Sequence, residues 1–232
     1  MYRLESQAQD TGQYPLFISL AEQLHLSFLQ ITRLSETAQT TEQIHAIAEA
    51  AMQLTENYIL SVKLHSNAMQ PLVEPTSLYS ILLDVSHNLQ PLASAYGVQL
   101  SLGDMGRLSP VMTDATIMRS ILTSIGQVFI VSESQSEEPR PLQLSAHMTK
   151  HGVVTGLYST SADLSKSTLR RAHALQHKAT QPFRSFVTGP ATGVFVAEQL
   201  LESIYASLHV GKYHNMSGLA VTIPVCRQMQ LV

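Results

Sequence analysis

Apolar side chains first fall into a helical rhythm at Phe17. Phe17, Ala21, Leu24, Phe28 and Ile31 are spaced 4, 3, 4 and 3 residues apart, the a/d seam of a heptad repeat. Ile18, Leu20, Leu26, Leu29 and Leu34 widen it into the broader stripe of a bundle helix. Thr40-Thr41-Glu42-Gln43 is a capping-box signature, with Thr40 as N-cap and Gln43 reaching back. A second seam follows at Ile44, Ile47, Ala51, Leu54 and Tyr58. The spacing predicts two helices of about 20 residues joined by a short polar link, an antiparallel hairpin over residues 15–66. One hairpin cannot cover both of its seams. A second copy completing a four-helix bundle is therefore expected, a homodimer through residues 15–65. Residues 1–14 are polar and aperiodic and read as a flexible tail.

Ser66-Asn67, Pro71 and Pro75 end the hairpin, and the texture changes. A helix pattern runs over 76–96, a strand over 98–102, and a second helix over 114–131 with Asp114 as N-cap. Residues 132–140 form a polar loop. Strands over 142–149 and 153–159 are joined by the turn Lys150-His151-Gly152. Helices over 164–175 and 193–208 precede a last strand over 218–224. The expected fold is α+β: the hairpin, then an α/β sandwich over 72–228 with helices on one face of a mixed sheet.

Composition narrows the function classes. Hydrophobic residues make up 44% and charged residues 13% of the 232, enough apolar material for a core. The formal net charge of −3 offers no general phosphate-neutralising field, so nucleic acid is not an expected partner. Cys226 is the single cysteine, which excludes a disulfide framework and a CxxC zinc site. No apolar run approaches the ~18 residues of a membrane helix and the N-terminus has no signal-peptide core, so a cytoplasmic protein without membrane contact is expected.

Four phrases in this order resemble the transmitter module of histidine kinases, a dimerising hairpin followed by an ATPase domain. Glu74-Pro75-Thr76-Ser77-Leu78-Tyr79-Ser80-Ile81-Leu82-Leu83-Asp84-Val85 is similar to the opening of that domain. Leu92-Ala93-Ser94-Ala95-Tyr96-Gly97-Val98-Gln99-Leu100 resembles its helix-to-strand junction, and Thr113-Asp114 the entry to the helix that carries the asparagine motif. Ser217-Gly218-Leu219-Ala220-Val221-Thr222-Ile223-Pro224 resembles its closing strand. The resemblance covers residues 15–228 and implies the sandwich fold of that ATPase.

The chemical motifs of the family are altered. Its asparagine pair, one contacting phosphate and one holding Mg²⁺, falls on Ser124 and Val128. Valine has no lone pair to offer a cation that demands octahedral oxygen ligands. The Asp that accepts from the adenine amine falls on Ser159, and the glycines after it on Ser161 and Asp163. The phosphate loop reads Gly189-Pro190-Ala191-Thr192-Gly193-Val194, where only the outer glycines remain and Pro190 removes one N–H from a phosphate nest. The expectation is a domain that does not hydrolyse ATP and needs neither nucleotide nor metal.

The family's phosphoacceptor motif, H-E-L-R-T-P, matches with Glu22 at the His, Leu24 at the Leu and Ser27 at the Pro. Glutamate is no stable phosphoryl relay there. A rival register takes His25 as acceptor with Gln30 after it, as in phosphotransferases whose helix reads H-x-x-x-x-Q and which also carry a degenerate ATPase domain. The plainer alternative is a solvated histidine beside the seam residue Leu24. His173 and His177, four apart, lack a companion carboxylate or cysteine, and Lys166, Arg170, Arg171 and Lys178 read as a solvated helix face. Three functions stay open: a non-catalytic kinase-like dimer, a phosphotransferase using His25, and an active kinase with unusual nucleotide contacts. If both enzyme readings fail, the expected partner is the receiver domain of a response regulator, docking at Gln23, Leu26, Ser27 and Gln30 with residues of the second helix alongside; the alternative is that Leu26 packs under the ATPase-like domain.

Overall fold

The computed structural model describes residues 13–36, 41–134, 140–160 and 191–226. Helices α1 (Gln13–Glu36) and α2 (Thr41–His65) form the antiparallel hairpin. Asn67 in the left-handed region (φ 55°) ends α2, with the Met69 N–H donating back to the Lys63 carbonyl. The chain continues through β1 (Glu74–Thr76), α3 (Leu78–Ala95), β2 (Leu100–Leu102), β3 (Val111–Thr113) and α4 (Ala115–Ser134). It ends with β4 (Leu142–Thr149), β5 (Gly152–Ser159), α5 (Ala191–Ser203), β6 (Leu208–Tyr213) and β7 (Met216–Ile223).

The sheet has the order β2-β4-β5-β7-β6, parallel between β2 and β4 and antiparallel elsewhere. Leu144, Leu157 and Leu219 lie side by side in register and fully buried, against the helical layer of α3, α4 and α5. β1 and β3 pair as a separate ribbon at the entry to α4. Asp114 caps that helix as expected. Its Oδ1 accepts the Thr116 and Ile117 N–H groups at 2.9 and 3.0 Å, and its Oδ2 accepts Leu72 N–H at 2.8 Å, fastening the linker to the helix start.

Three expectations need correction. The helix expected to run to Leu208 stops at Ser203, and an additional strand, β6, follows it. Tyr205 takes the left-handed position (φ 55°) that closes the helix, with Ala206 N–H donating to the Leu201 carbonyl. A glycine there would have signalled the stop; a tyrosine does not. His214 likewise holds a positive φ (49°) in the two-residue turn between β6 and β7, where hairpins favour Gly or Asn. The second correction concerns α4, which by length and composition suffices to cross a membrane; 67% of that window is buried, and the helix is the centre of the core.

The third concerns the seam of α2. Ile47, Ala51 and Leu54 are buried within the chain, because α2 packs on α3, α4 and α5. Leu54 and Leu64 belong to the same buried cluster as Leu82, Ile121 and Leu201 of the sandwich. The sandwich, rather than a second copy, covers this seam. On α1, Leu24 and Ile31 are half-buried while Phe28 is 61% exposed.

Candidate functional site

The helical period puts Ser120, Ser124, Gln127 and Val128 of α4 along one face, three and four residues apart. Opposite lies α2, and polar groups join the two helices across otherwise apolar packing. Asn57, 1% exposed, donates from Nδ2 to the Ser124 hydroxyl at 2.8 Å and to the Ser120 carbonyl at 3.3 Å. Its Oδ1 accepts from Gln53 at 3.1 Å. Gln127 donates to the Ala50 carbonyl at 3.4 Å. What space remains is a void of about 50 Å³ lined by Ser27, Leu54, Ser124, Val128 and Gly193, among others. Small-molecule sites occupy ~300–1,000 Å³.

These are the positions that the resemblance assigns to nucleotide and Mg²⁺. Ser124 and Val128 are brought together with Gly193, as that assignment requires. The group itself does not fit them. Ser124 is fully buried with its hydroxyl engaged by Asn57, and Val128 supplies only methyl groups. Gly193 lies inside α5 rather than in a loop, and a Cβ on it would stand 2.7 Å from a Val128 methyl and 3.0 Å from the Ser124 carbonyl oxygen. Its missing side chain lets α5 approach α4. No phosphate contact is needed to explain it.

Ser159, at the position of the base-recognising Asp, is fully buried at the end of β5. Its hydroxyl donates to Glu133 Oε1 at 2.9 Å, and the other oxygen of Glu133 accepts the Arg140 N–H at 3.2 Å. Glu133, 1% exposed near the end of α4, thus ties α4 to β5 and to the entry of β4. Sequence reasoning missed Glu133 by ending the helix at 131, and missed Asn57 because it falls between seam positions. An amide in the middle of an apolar helix stripe was the available signal.

His25 is exposed on α1. The docking surface drawn around it needs correction. Ser27 is buried under the sandwich, and Gln30 accepts a 2.9 Å hydrogen bond from the Tyr96 hydroxyl at the end of α3. Burial pushes that hydroxyl's pKa up, and the bond to Gln30 offsets part of the rise. Leu26, at 41% exposure, stays on the outside. Thr40, Ser161, Asp163, Gly189, Pro190, the histidine pair His173 and His177, the basic patch and the helix expected over 164–175 lie outside the described residues.

No family model and no curated protein matches the sequence. Solved structures do match the fold. The chain is similar to the Acinetobacter baumannii histidine kinase AdeS at 10% identity and a TM-score of 0.51, over 92% of this chain and 96% of that one. It is similar to full-length ShkA, solved in complex with AMPPNP, at 16% identity and a TM-score of 0.50, over 94% of this chain and 46% of that one. With its helical hairpin, five-stranded mixed sheet and one-sided helical layer, the chain has the fold of a histidine kinase transmitter.

Proposed function

We propose that this chain is a non-catalytic, histidine-kinase-like signalling protein that works in the cytoplasm through protein–protein contacts, as a homodimer and with a receiver domain of a response regulator. The contact of Asn57 with Ser124 carries the reading, because it closes with a hydrogen-bonded helix the face on which a nucleotide would lie. ShkA of the same fold was solved with a nucleotide analogue. Here Val128 supports the opposite expectation, since it leaves a Mg²⁺ ion without its ligand. Melting curves with and without millimolar ATP and Mg²⁺ test this. A ligand at 100 times its Kd adds about 2.7 kcal/mol of stability, and the expected shift is none. A Mg²⁺-dependent rise in melting temperature overturns the proposal and restores the active-kinase reading.

One observation favours a second reading, the exposure of His25 on α1. A phosphotransferase needs an imidazole that an incoming aspartyl phosphate can reach. Incubation with a phosphorylated receiver domain separates the two. The non-catalytic reading expects no phosphoryl group on the chain, and His25→Ala keeps receiver affinity within about tenfold. Labelling of the wild type that His25→Ala abolishes establishes the phosphotransferase instead.

A further inference from the structure

The sheet has a second face, turned away from α3, α4 and α5. In strand register Ser145 and His147 of β4, Tyr158 of β5, Ala220 of β7 and Tyr213 of β6 point to it. β5 and β7 separate β4 from β6, yet the His147 and Tyr213 rings are 5.8 Å apart. The sheet is therefore coiled so strongly that opposite corners meet above this face. Gly156 and Gly218 permit the coil, since a Cβ on either would strike the carbonyl oxygen of Leu219 or Leu157 on the neighbouring strand. The segment after β2 crosses the same face. Gly103 N–H donates to the Leu144 carbonyl at 2.8 Å, and the Tyr213 hydroxyl donates to the Asp104 carbonyl at 2.6 Å.

These elements border an open groove of about 600 Å³. Its lining is chemically mixed. Arg107 and Lys212 are exposed cations at its edge, with the imidazoles of His147 and His214 beside them. The carboxyl group of Asp104 is the one acid in the lining, and its Oδ1 accepts the Gly106 N–H at 3.2 Å. A chain of net charge −3 thus gathers a local cationic excess around the aromatic ring of Tyr213.

Two costs are concentrated here. Among the described residues, His147 Nδ1, the Tyr158 hydroxyl and Ser145 Oγ are buried with no hydrogen-bond partner, and all three belong to this face. Each such group is costly to bury without a partner. Desolvation, with Tyr213 adding to it, pushes the Tyr158 pKa up, so that hydroxyl stays a neutral donor. His214 adds a left-handed backbone (φ 49°) at the groove's edge.

We infer that the outer face of the sheet, between His147, Tyr213, Arg107 and Lys212, binds a small aromatic anion. The ring packs on Tyr213, and the acid group pairs with Arg107 and Lys212. The site lies on the face opposite to Ser124 and Val128, so its fate is independent of the non-catalytic reading. Phenyl phosphate and benzoate are the probes, with inorganic phosphate and phenol as controls, titrated into the full chain and followed by amide chemical shifts. At least one probe is expected to shift the amides of Arg107, Lys212 and Tyr213. Each control should bind at least about tenfold more weakly. Arg107→Ala with Lys212→Ala, both exposed positions, should weaken the probe about tenfold or more without lowering the melting temperature. The preferred probe tells a phosphate ester from a carboxylate. The inference is overturned if neither probe shifts these amides at about 5 mM, if inorganic phosphate or phenol binds as well, or if the double variant binds as the wild type does.

Discussion

A buried amide has donors and lone pairs that all need partners, and Asn57 finds three across and along the helices. Asn57→Ala removes the side chain and leaves the Ser124 hydroxyl buried, which costs ~1–3 kcal/mol where an unmet group remains. Urea unfolding should show a lower midpoint with an unchanged slope. Combining Asn57→Ala with Ser124→Ala should cost less than the two single changes added together, with a coupling of ~0.5–3 kcal/mol. Full additivity would mean the contact carries no energy. Ser124 stood out in the sequence because a family motif placed an Asn there. Asn57 did not, because periodicity counts apolar positions and is silent about which polar one is turned inward. The same limit hid Glu133, whose partners Ser159 and Arg140 lie far along the chain.

Elements were legible where local chemistry marks their ends. Asp114 announces α4 and Asn67 closes α2, whereas the cap of α3, Ser77 accepting from Ser80, is seen only in the structure. β6 was illegible, because the residues in its flanking left-handed turns are Tyr205 and His214 rather than glycine. Gly193 shows how an element can be placed correctly and still be misread in role. As a remnant of a phosphate loop, replacement by Ala would gain about 1 kcal/mol of helix propensity. As the contact between α5 and α4, the same change forces a methyl onto Val128 and the Ser124 carbonyl, and overpacking costs ~1–3 kcal/mol. The second effect is the larger, so Gly193→Ala should lower the melting temperature. A rise would return Gly193 to the role of a phosphate-loop remnant. Leu54→Asp acts on a whole element. It puts a charge into the cluster shared with the sandwich, and hydrogen exchange along the Ser120–Val128 face of α4 should accelerate as α2 loosens.

For the whole molecule, the sandwich covers one seam of the hairpin and leaves another in the open. Ala48, Met52, Thr55, Ile59 and Val62 follow one another at intervals of 4, 3, 4 and 3 on α2, turned away from Ile47, Ala51 and Leu54. Met52 is 64% and Ile59 46% exposed, and α1 adds Leu26, Phe28 and Leu29. A heptad stripe of this kind is what a helix presents to a second helix, and burying each such side chain gains ~1.5–3 kcal/mol. The expected dimer was argued from both seams of the hairpin, and the sandwich covers that of α2; this outward stripe is the face we propose for a second copy instead. Light scattering should give a dimer at about 10 µM, and Met52→Glu with Ile59→Glu should give a monomer whose hairpin stays docked on the sandwich. Leu54→Asp should do the reverse, loosening the docking while the stripe still pairs. A wild-type monomer would end the dimer reading, and a dimer indifferent to Met52→Glu with Ile59→Glu would place the interface elsewhere.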